Sequence, residues 1–154
     1  MQSNIQLKGI VTITVKDLEG NIIRKDTFKN KIPYAALNDI VNYRLGDSVD
    51  GEVKYLAWGN DNTPPLNDDE TLGNELGRKP VTKKESVGNG VLEIQTFLSS
   101  QDANTQIEEI GWFTGNATDV PNSGTLAARV LYSYEKTEQV TIQIDRTETY
   151  TEVV

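Results

Sequence analysis

Period-two stretches of apolar residues, each cut short by glycine, asparagine or proline, constrain this chain more than any other feature of its sequence. Val11, Ile13 and Val15 share one side of the stretch 9–16, with Thr12 and Thr14 on the other; that is the alternation of a strand with one buried face. Leu18-Glu19-Gly20-Asn21 supplies residues that tolerate the positive φ of a turn, and 22–28 returns as the second arm of a hairpin. Two arms of that length do not hold alone and must join a larger sheet. Val53, Tyr55 and Ala57 alternate with Lys54, Leu56 and Trp58. Both faces are partly apolar, so this strand belongs inside a sheet. Further strands follow over 80–87 and 91–98 around the turn Gly88-Asn89-Gly90, over 107–113 with Gly111 inside it, over 126–134, and over 139–150 with Val140, Ile142 and Ile144 on one face. About eight short strands separated by turn residues predict a mainly β fold, an antiparallel β-sandwich or partly open barrel.

One segment has a different period. Tyr34, Leu37, Ile40, Val41 and Leu45 follow helical spacing after Pro33, with Gly46 beyond them as a left-handed terminator. The spacing predicts one accessory helix over 33–45, lying across a sheet face or an open end. Ile32 cannot cap it, and the turn around Asn30 is the expected compensation. Asn67 and Glu70 stand at capping-box spacing before a brief helical turn through Leu72 and Leu76, ended by Gly73 and Gly77. A length of 154 residues suits one domain: an N-terminal hairpin over 1–30, the helix, and a main sandwich over 53–150, with 60–70 as a long internal loop.

Composition then removes whole classes of function. The chain holds no Cys and no His, which excludes thiol nucleophiles, Cys/His zinc sites, disulfides and histidine general bases. A net charge of −8 from 15 Lys+Arg and 23 Asp+Glu repels nucleic-acid phosphates and anionic lipid. No basic segment followed by an apolar run opens the chain, and no apolar stretch approaches the roughly 20 residues of a spanning helix. The expectation is a soluble protein made in a cytoplasm, and the acceptor-like triplet Asn116-Ala117-Thr118 is read as chance.

The remaining constellations have structural readings and sharper alternatives. Asp61, Asp68, Asp69 and Glu70 cluster in one loop; they solvate and cap it, or they offer oxygens to calcium. Glu108 and Glu109 are adjacent on a strand, so they point to opposite faces and form no carboxylate dyad. One of them turns inward and needs a cationic partner such as Arg129 or Arg78. Trp58, Trp112, Tyr132 and Tyr134 pack the sheets, or they form a platform for sugar rings. No serine has an activating histidine, no phosphate-binding loop is present, and no basic cluster interleaves with aromatics. The residues thus imply no catalytic group, no cofactor and no metal.

An ordered series of motifs does resemble a known group. Tyr55-Leu56-Ala57-Trp58-Gly59-Asn60-Asp61-Asn62-Thr63-Pro64-Pro65 is followed by Asp69-Glu70-Thr71-Leu72-Gly73-Asn74-Glu75-Leu76-Gly77-Arg78. Then come Ile107-Glu108-Glu109-Ile110-Gly111-Trp112-Phe113 and Gly124-Thr125-Leu126-Ala127-Ala128-Arg129. Over residues 50–150 this order resembles small tailed-bacteriophage virion proteins and similar domains of phage tail fibres. Trp58 and Asn60 stand where that group has smaller residues. The strand 141–146 is more polar than the group's, which points either to looser packing or to pairing with another subunit. The resemblance implies a non-enzymatic virion structural protein, made in the host bacterial cytoplasm and working as one copy in a symmetric assembly. Its partners would be copies of itself and other virion proteins, in a tail fibre or baseplate first and as a capsid decoration second. The competing class is a module that binds host-surface glycan. The same resemblance puts Trp58, Gly59, Asn60, Pro64, Pro65, Arg78, Glu109, Gly111, Trp112 and Arg129 forward as loop-placing and interaction residues, with Glu109 and Arg129 set to pair.

Overall fold

A computed structural model describes residues 3–154, which form nine strands and one helix. β1 (Asn4–Asp17) and β2 (Ile22–Lys29) make the N-terminal hairpin. Its turn is fastened by Asp17, whose Oδ1 accepts the N–H groups of Glu19 and Asn21 at 2.9 Å each. β1 then pairs on its other edge with β9 (Val140–Val153), from Asn4 opposite Val153 to Asp17 opposite Val140. β6 (Val91–Leu98) and β5 (Lys83–Gly88) complete a five-stranded antiparallel sheet in the order β2-β1-β9-β6-β5. The second sheet runs β4 (Glu75–Pro80), β3 (Tyr55–Gly59), β7 (Gln106–Thr114), β8 (Thr125–Glu135). The two sheets pack face to face. Val11, Ile13, Val15, Ile94, Ile142 and Ile144 from one meet Leu56, Ile110, Trp112, Ala128 and Val130 from the other in one buried core. The mainly β sandwich expected from the alternation is the fold observed.

Two departures from strict alternation place later features. The β7–β8 register shifts between Ile107 and Glu109, where β8 carries the extra residue (Tyr132 and Ser133 across from Glu108), and Ile107 and Ile110 both join the core although three positions apart. A second bulge follows Trp112, where Trp112 faces Ala128 but Phe113 faces Leu126. Both sides of β7 are consequently buried from Glu109 to Thr114. The outward side, with Ala57, Phe113 and Leu126, forms a second apolar cluster beneath the loops.

The N-terminal hairpin joins the larger sheet that its two arms require, with β1 inside the five-stranded sheet. Other expectations need correction. The polar terminal strand pairs with β1 and β6 of its own chain, not with another subunit. No helix forms at 67–76. Glu109 captures the N–H groups of Gly73 and Asn74 (2.9 and 2.8 Å), and Leu76 belongs to β4, an edge strand that tolerates Pro80 as its last residue.

The helix α1 spans Tyr34–Arg44, with Pro33 extended at its N-cap and Gly46 at φ +90° beyond its end. No side chain caps it. The Asn67 carbonyl accepts the Tyr34 N–H at 2.7 Å, so the compensation comes from the 60–74 loop and not from the turn at Asn30. Its orientation also differs from its spacing. Tyr34, Leu37, Val41 and Leu45 are 38–73% exposed, and the less exposed side carries Ala36, Asp39 and Ile40. α1 lies against β8 near the open end of the sandwich. No helix among the described residues is long and apolar enough to cross a membrane.

Candidate functional site

Directly paired residues in a sheet share a face. Glu109 of β7 lies opposite Gly59 of β3, so its side chain stands on the outer face of the four-stranded sheet, where the 60–74 loop covers it. It is 0% exposed, and such a carboxylate must be paired and hydrogen-bonded. Oε1 accepts the N–H groups of Asn74 (2.8 Å) and Asp61 (3.3 Å). Oε2 accepts those of Gly73 (2.9 Å) and Arg129 Nε (2.9 Å). Arg129 Nη2 lies 2.8 Å from the same carboxylate in an ionic contact without hydrogen-bond alignment. Arg129 Nη1 reaches Asp69 Oδ2 at 3.2 Å, and Asp69 in turn accepts the Leu66 N–H at 2.9 Å. A single ion pair therefore fixes both arms of the loop. A side chain at Gly59 would run into Glu109 and the Asn74 carbonyl, so this close approach requires glycine. At Gly111 a Cβ would lie 2.7 Å from Leu72 Cδ2; the close neighbour is the loop's leucine.

A second loop, over 115–124, is held the same way. Arg78 and Glu75 on β4 form a bidentate pair at 2.7 and 2.9 Å, with side chains 2% and 0% exposed. The Arg78 guanidinium sits 4.4 Å from the Phe113 ring centre. Its Nη1 donates to the carbonyls of Thr118 (3.0 Å) and Ser123 (3.1 Å), strapping 115–124 to the sheet. Planar, fork-shaped guanidinium suits both tasks, since it binds a carboxylate and still has donors for carbonyls.

Five of the ten singled-out residues thus meet in one cluster: Gly59, Asn60, Glu109, Gly111 and Arg129. Asn60 Oδ1 accepts Asn74 Nδ2 at 2.6 Å across the mouth of the loop. Arg78 anchors the second cluster. Pro64 and Pro65 lie within the loop, Pro65 lining a shallow groove with Arg129 and Leu131. Trp58 and Trp112 are elsewhere, in or against the sandwich core. Trp112 and Tyr132 are almost wholly buried, so they present no flat ring to a sugar. Two carboxylates of the acidic loop, Asp61 and Asp69, are engaged too. Asp61 Oδ1 accepts the Thr63 N–H at 2.7 Å, and the hydrogen bonds from Thr63, with Arg129 nearby, hold its carboxyl below the usual range. No three acidic residues among the described residues gather closely enough to share an ion.

No family model, curated protein or solved structure matches this chain. Its function is therefore argued from the geometry and the motifs.

One group of residues escaped the sequence reading. Arg146, Glu148 and Tyr150 continue, at every second position of β9, the face that carries Ile142 and Ile144. With Leu7, Ile40, Val49, Val53 and Leu92 they line a cleft of about 550 Å³ between the sheet and α1. Arg146 is 1% exposed. Its Nε donates to Asn30 Oδ1 at 3.1 Å, and its Nη1 lies 2.8 Å from Glu148 Oε2 without a formed hydrogen bond. Burial draws the Arg146 guanidinium below its ordinary pKa, with Glu148 opposing. Burial and then Glu148, which accepts the Tyr150 hydroxyl, push that phenol well above its own. The period-two continuation 142, 144, 146, 148, 150 was the available signal; the change from isoleucine to charge hid it.

Proposed function

We propose that this chain is a non-enzymatic structural component of a bacteriophage particle, a rigid β-sandwich that works by docking onto neighbouring subunits, with the tail fibre or baseplate as its favoured place. One observation carries the reading. Two carboxylates with side chains 0% exposed, Glu109 and Glu75, hold their arginines and loop backbone and fix surface loops over a sheet. Side chains used this way preorganise a surface, which lowers the ordering cost of association. The order of motifs from Tyr55 to Arg129, which resembles small virion proteins, supplies the setting.

Quantitative mass spectrometry of purified particles from the phage encoding this sequence tests the reading. The chain is expected at a fixed stoichiometry to the major structural proteins. Its absence from intact particles overturns the proposal. Gold labelling of the same particles assigns the place: label at the tail tip agrees with fibre or baseplate, and label over the head replaces that with capsid decoration.

A further inference from the structure

β1 is longer than the strand beside it. β2 ends with Lys29 opposite Ile10, and the Asn30 N–H adds one more bond, to the Gly9 carbonyl at 3.1 Å. The chain then departs to the other sheet, where Lys31 exchanges two backbone bonds with Arg129 at 2.8 and 3.0 Å. Asn4–Lys8 are therefore paired with β9 and, among the described residues, with nothing on the opposite side. In an antiparallel strand the N–H and C=O of one residue point the same way, and neighbours point oppositely. The Gly9 carbonyl faces the β2 side. Hence the N–H and C=O of Ile5 and Leu7, and the N–H of Gly9, face that open side as well, whereas Asn4, Gln6 and Lys8 bond β9.

A groove of about 360 Å³ runs along this edge, walled by Gln6–Ile10, Lys29–Ile32 and Asn67. Its charged residues are Lys8, Lys29 and Lys31, with no carboxylate. None of the three has an ion-pair partner among the described residues. This is a wholly cationic groove on a chain of net charge −8. The two faces at the edge also differ. Lys8 and Lys29 share the outward face, since Lys29 pairs with Ile10. The inward face carries Leu7 and Ile5, the latter 71% exposed. Lysine alone can blunt a strand edge against pairing, but blunting does not call for an open groove or for apolar side chains along the same edge.

We propose that the Asn4–Gly9 edge accepts an extended acidic segment of a partner protein as an added strand, a segment alternating carboxylates with β-branched apolar residues. Backbone bonds to Ile5, Leu7 and Gly9 set its register. Its carboxylates face Lys8 and Lys29, and its apolar residues cover Ile5 and Leu7. A second copy of this chain fits less well, because edge-to-edge pairing brings two sets of lysines together. The proposal rests on the docking reading above and names the surface and the chemistry of what docks there.

The probe is a labelled peptide of alternating glutamate and valine, about eight residues long, titrated against the full chain. Expected are saturable, salt-sensitive binding and slowed amide exchange at Ile5, Leu7 and Gly9. Ile5→Pro removes one free-edge N–H without touching the β1–β9 ladder and should weaken binding at least about tenfold. The double change Lys8→Glu/Lys29→Glu should do the same. An unchanged thermal midpoint establishes that each variant is folded. Equal binding of a lysine–valine peptide, or of a glutamate–valine peptide N-methylated on alternate amides, overturns the proposal. So does a concentration-dependent dimer that Ile5→Pro abolishes, which makes the occupant a second copy. A chain present in particles that binds no acidic strand overturns the edge assignment alone; one that binds the strand yet is absent from particles overturns the virion reading alone.

Discussion

Glu109 accepts four hydrogen bonds, from three backbone groups and Arg129. Glu109→Gln keeps the shape but leaves Arg129 as a buried cation with only peripheral Asp69 and Asp61. Breaking one half of a buried pair costs about 3 kcal/mol or more, so the denaturant midpoint should fall markedly. Removing both charges together, in Glu109→Leu/Arg129→Met, should cost less than the sum of the two single changes by at least about 1 kcal/mol. Strict additivity would mean that the two act independently. Asp102 gives a complementary test on the acid side. Burial alone would raise its pKa, but hydrogen bonds from Lys79 Nζ (2.6 Å) and the Ser99 N–H (2.8 Å) outweigh that and hold it below its ordinary value of 3.8. A depressed folded pKa gives stability that is present above pH 3.8 and is lost as the pH falls through the folded value. The wild-type chain should therefore be more stable than Asp102→Asn at pH 6, and that advantage should shrink below pH 3.8. An advantage that stays constant or grows on acidification would contradict the assigned bonds.

At the scale of elements, the strands were legible because alternation reports one buried face, and the turns because Gly20, Gly46 and Gly90 sit at positive φ. The helix was legible in place but not in orientation. Apolar spacing shows that a stripe exists and says nothing of which side meets the sheet, and here the stripe Tyr34, Leu37, Val41 and Leu45 faces outward. The 60–74 loop misled for a local reason. Asn67 and Glu70 have capping-box spacing, yet the N–H groups that a helix would use go to Glu109, distant in sequence and invisible to any local rule. The Glu109–Arg129 pair was anticipated from the need of a buried carboxylate for a cation, whereas the Arg146 cleft depends on an overhang that only topology creates. The outward stripe carries its own expectation. Val41→Ser should change stability by no more than about 0.5 kcal/mol, while Ile13→Ala in the core should cost about 3 kcal/mol. Since no residue of α1 is fully buried, its amides should exchange orders of magnitude faster than those at the centre of β1 and β9. Equal protection would show that α1 is locked to the sandwich more firmly than its burial allows.

For the whole molecule, the question is whether the first thirty residues decorate a sandwich or build it. β1 brings Val11, Ile13 and Val15, all 0% exposed, into the shared core, and its ladder with β9 spans fourteen residues. A chain starting at Lys31 loses two of five strands from one sheet. It also uncovers the Ile142 and Ile144 side of the core and leaves β9 as an unpaired edge. Such a long open edge, with Ile142 and Ile144 uncovered on one face, is a template for aggregation rather than a stable surface. A chain starting at Gly9 loses only the overhang, whose inward side looks onto the cleft and not onto the opposite sheet. The first deletion should therefore show no cooperative thermal transition and should aggregate. The second should melt in one step at a lower midpoint and should no longer bind the acidic peptide. Cooperative folding of the chain from Lys31 would show that the hairpin is dispensable to the sandwich. It would also require the core around Ile144 to close without β1, and no other strand of this topology is free to take that place.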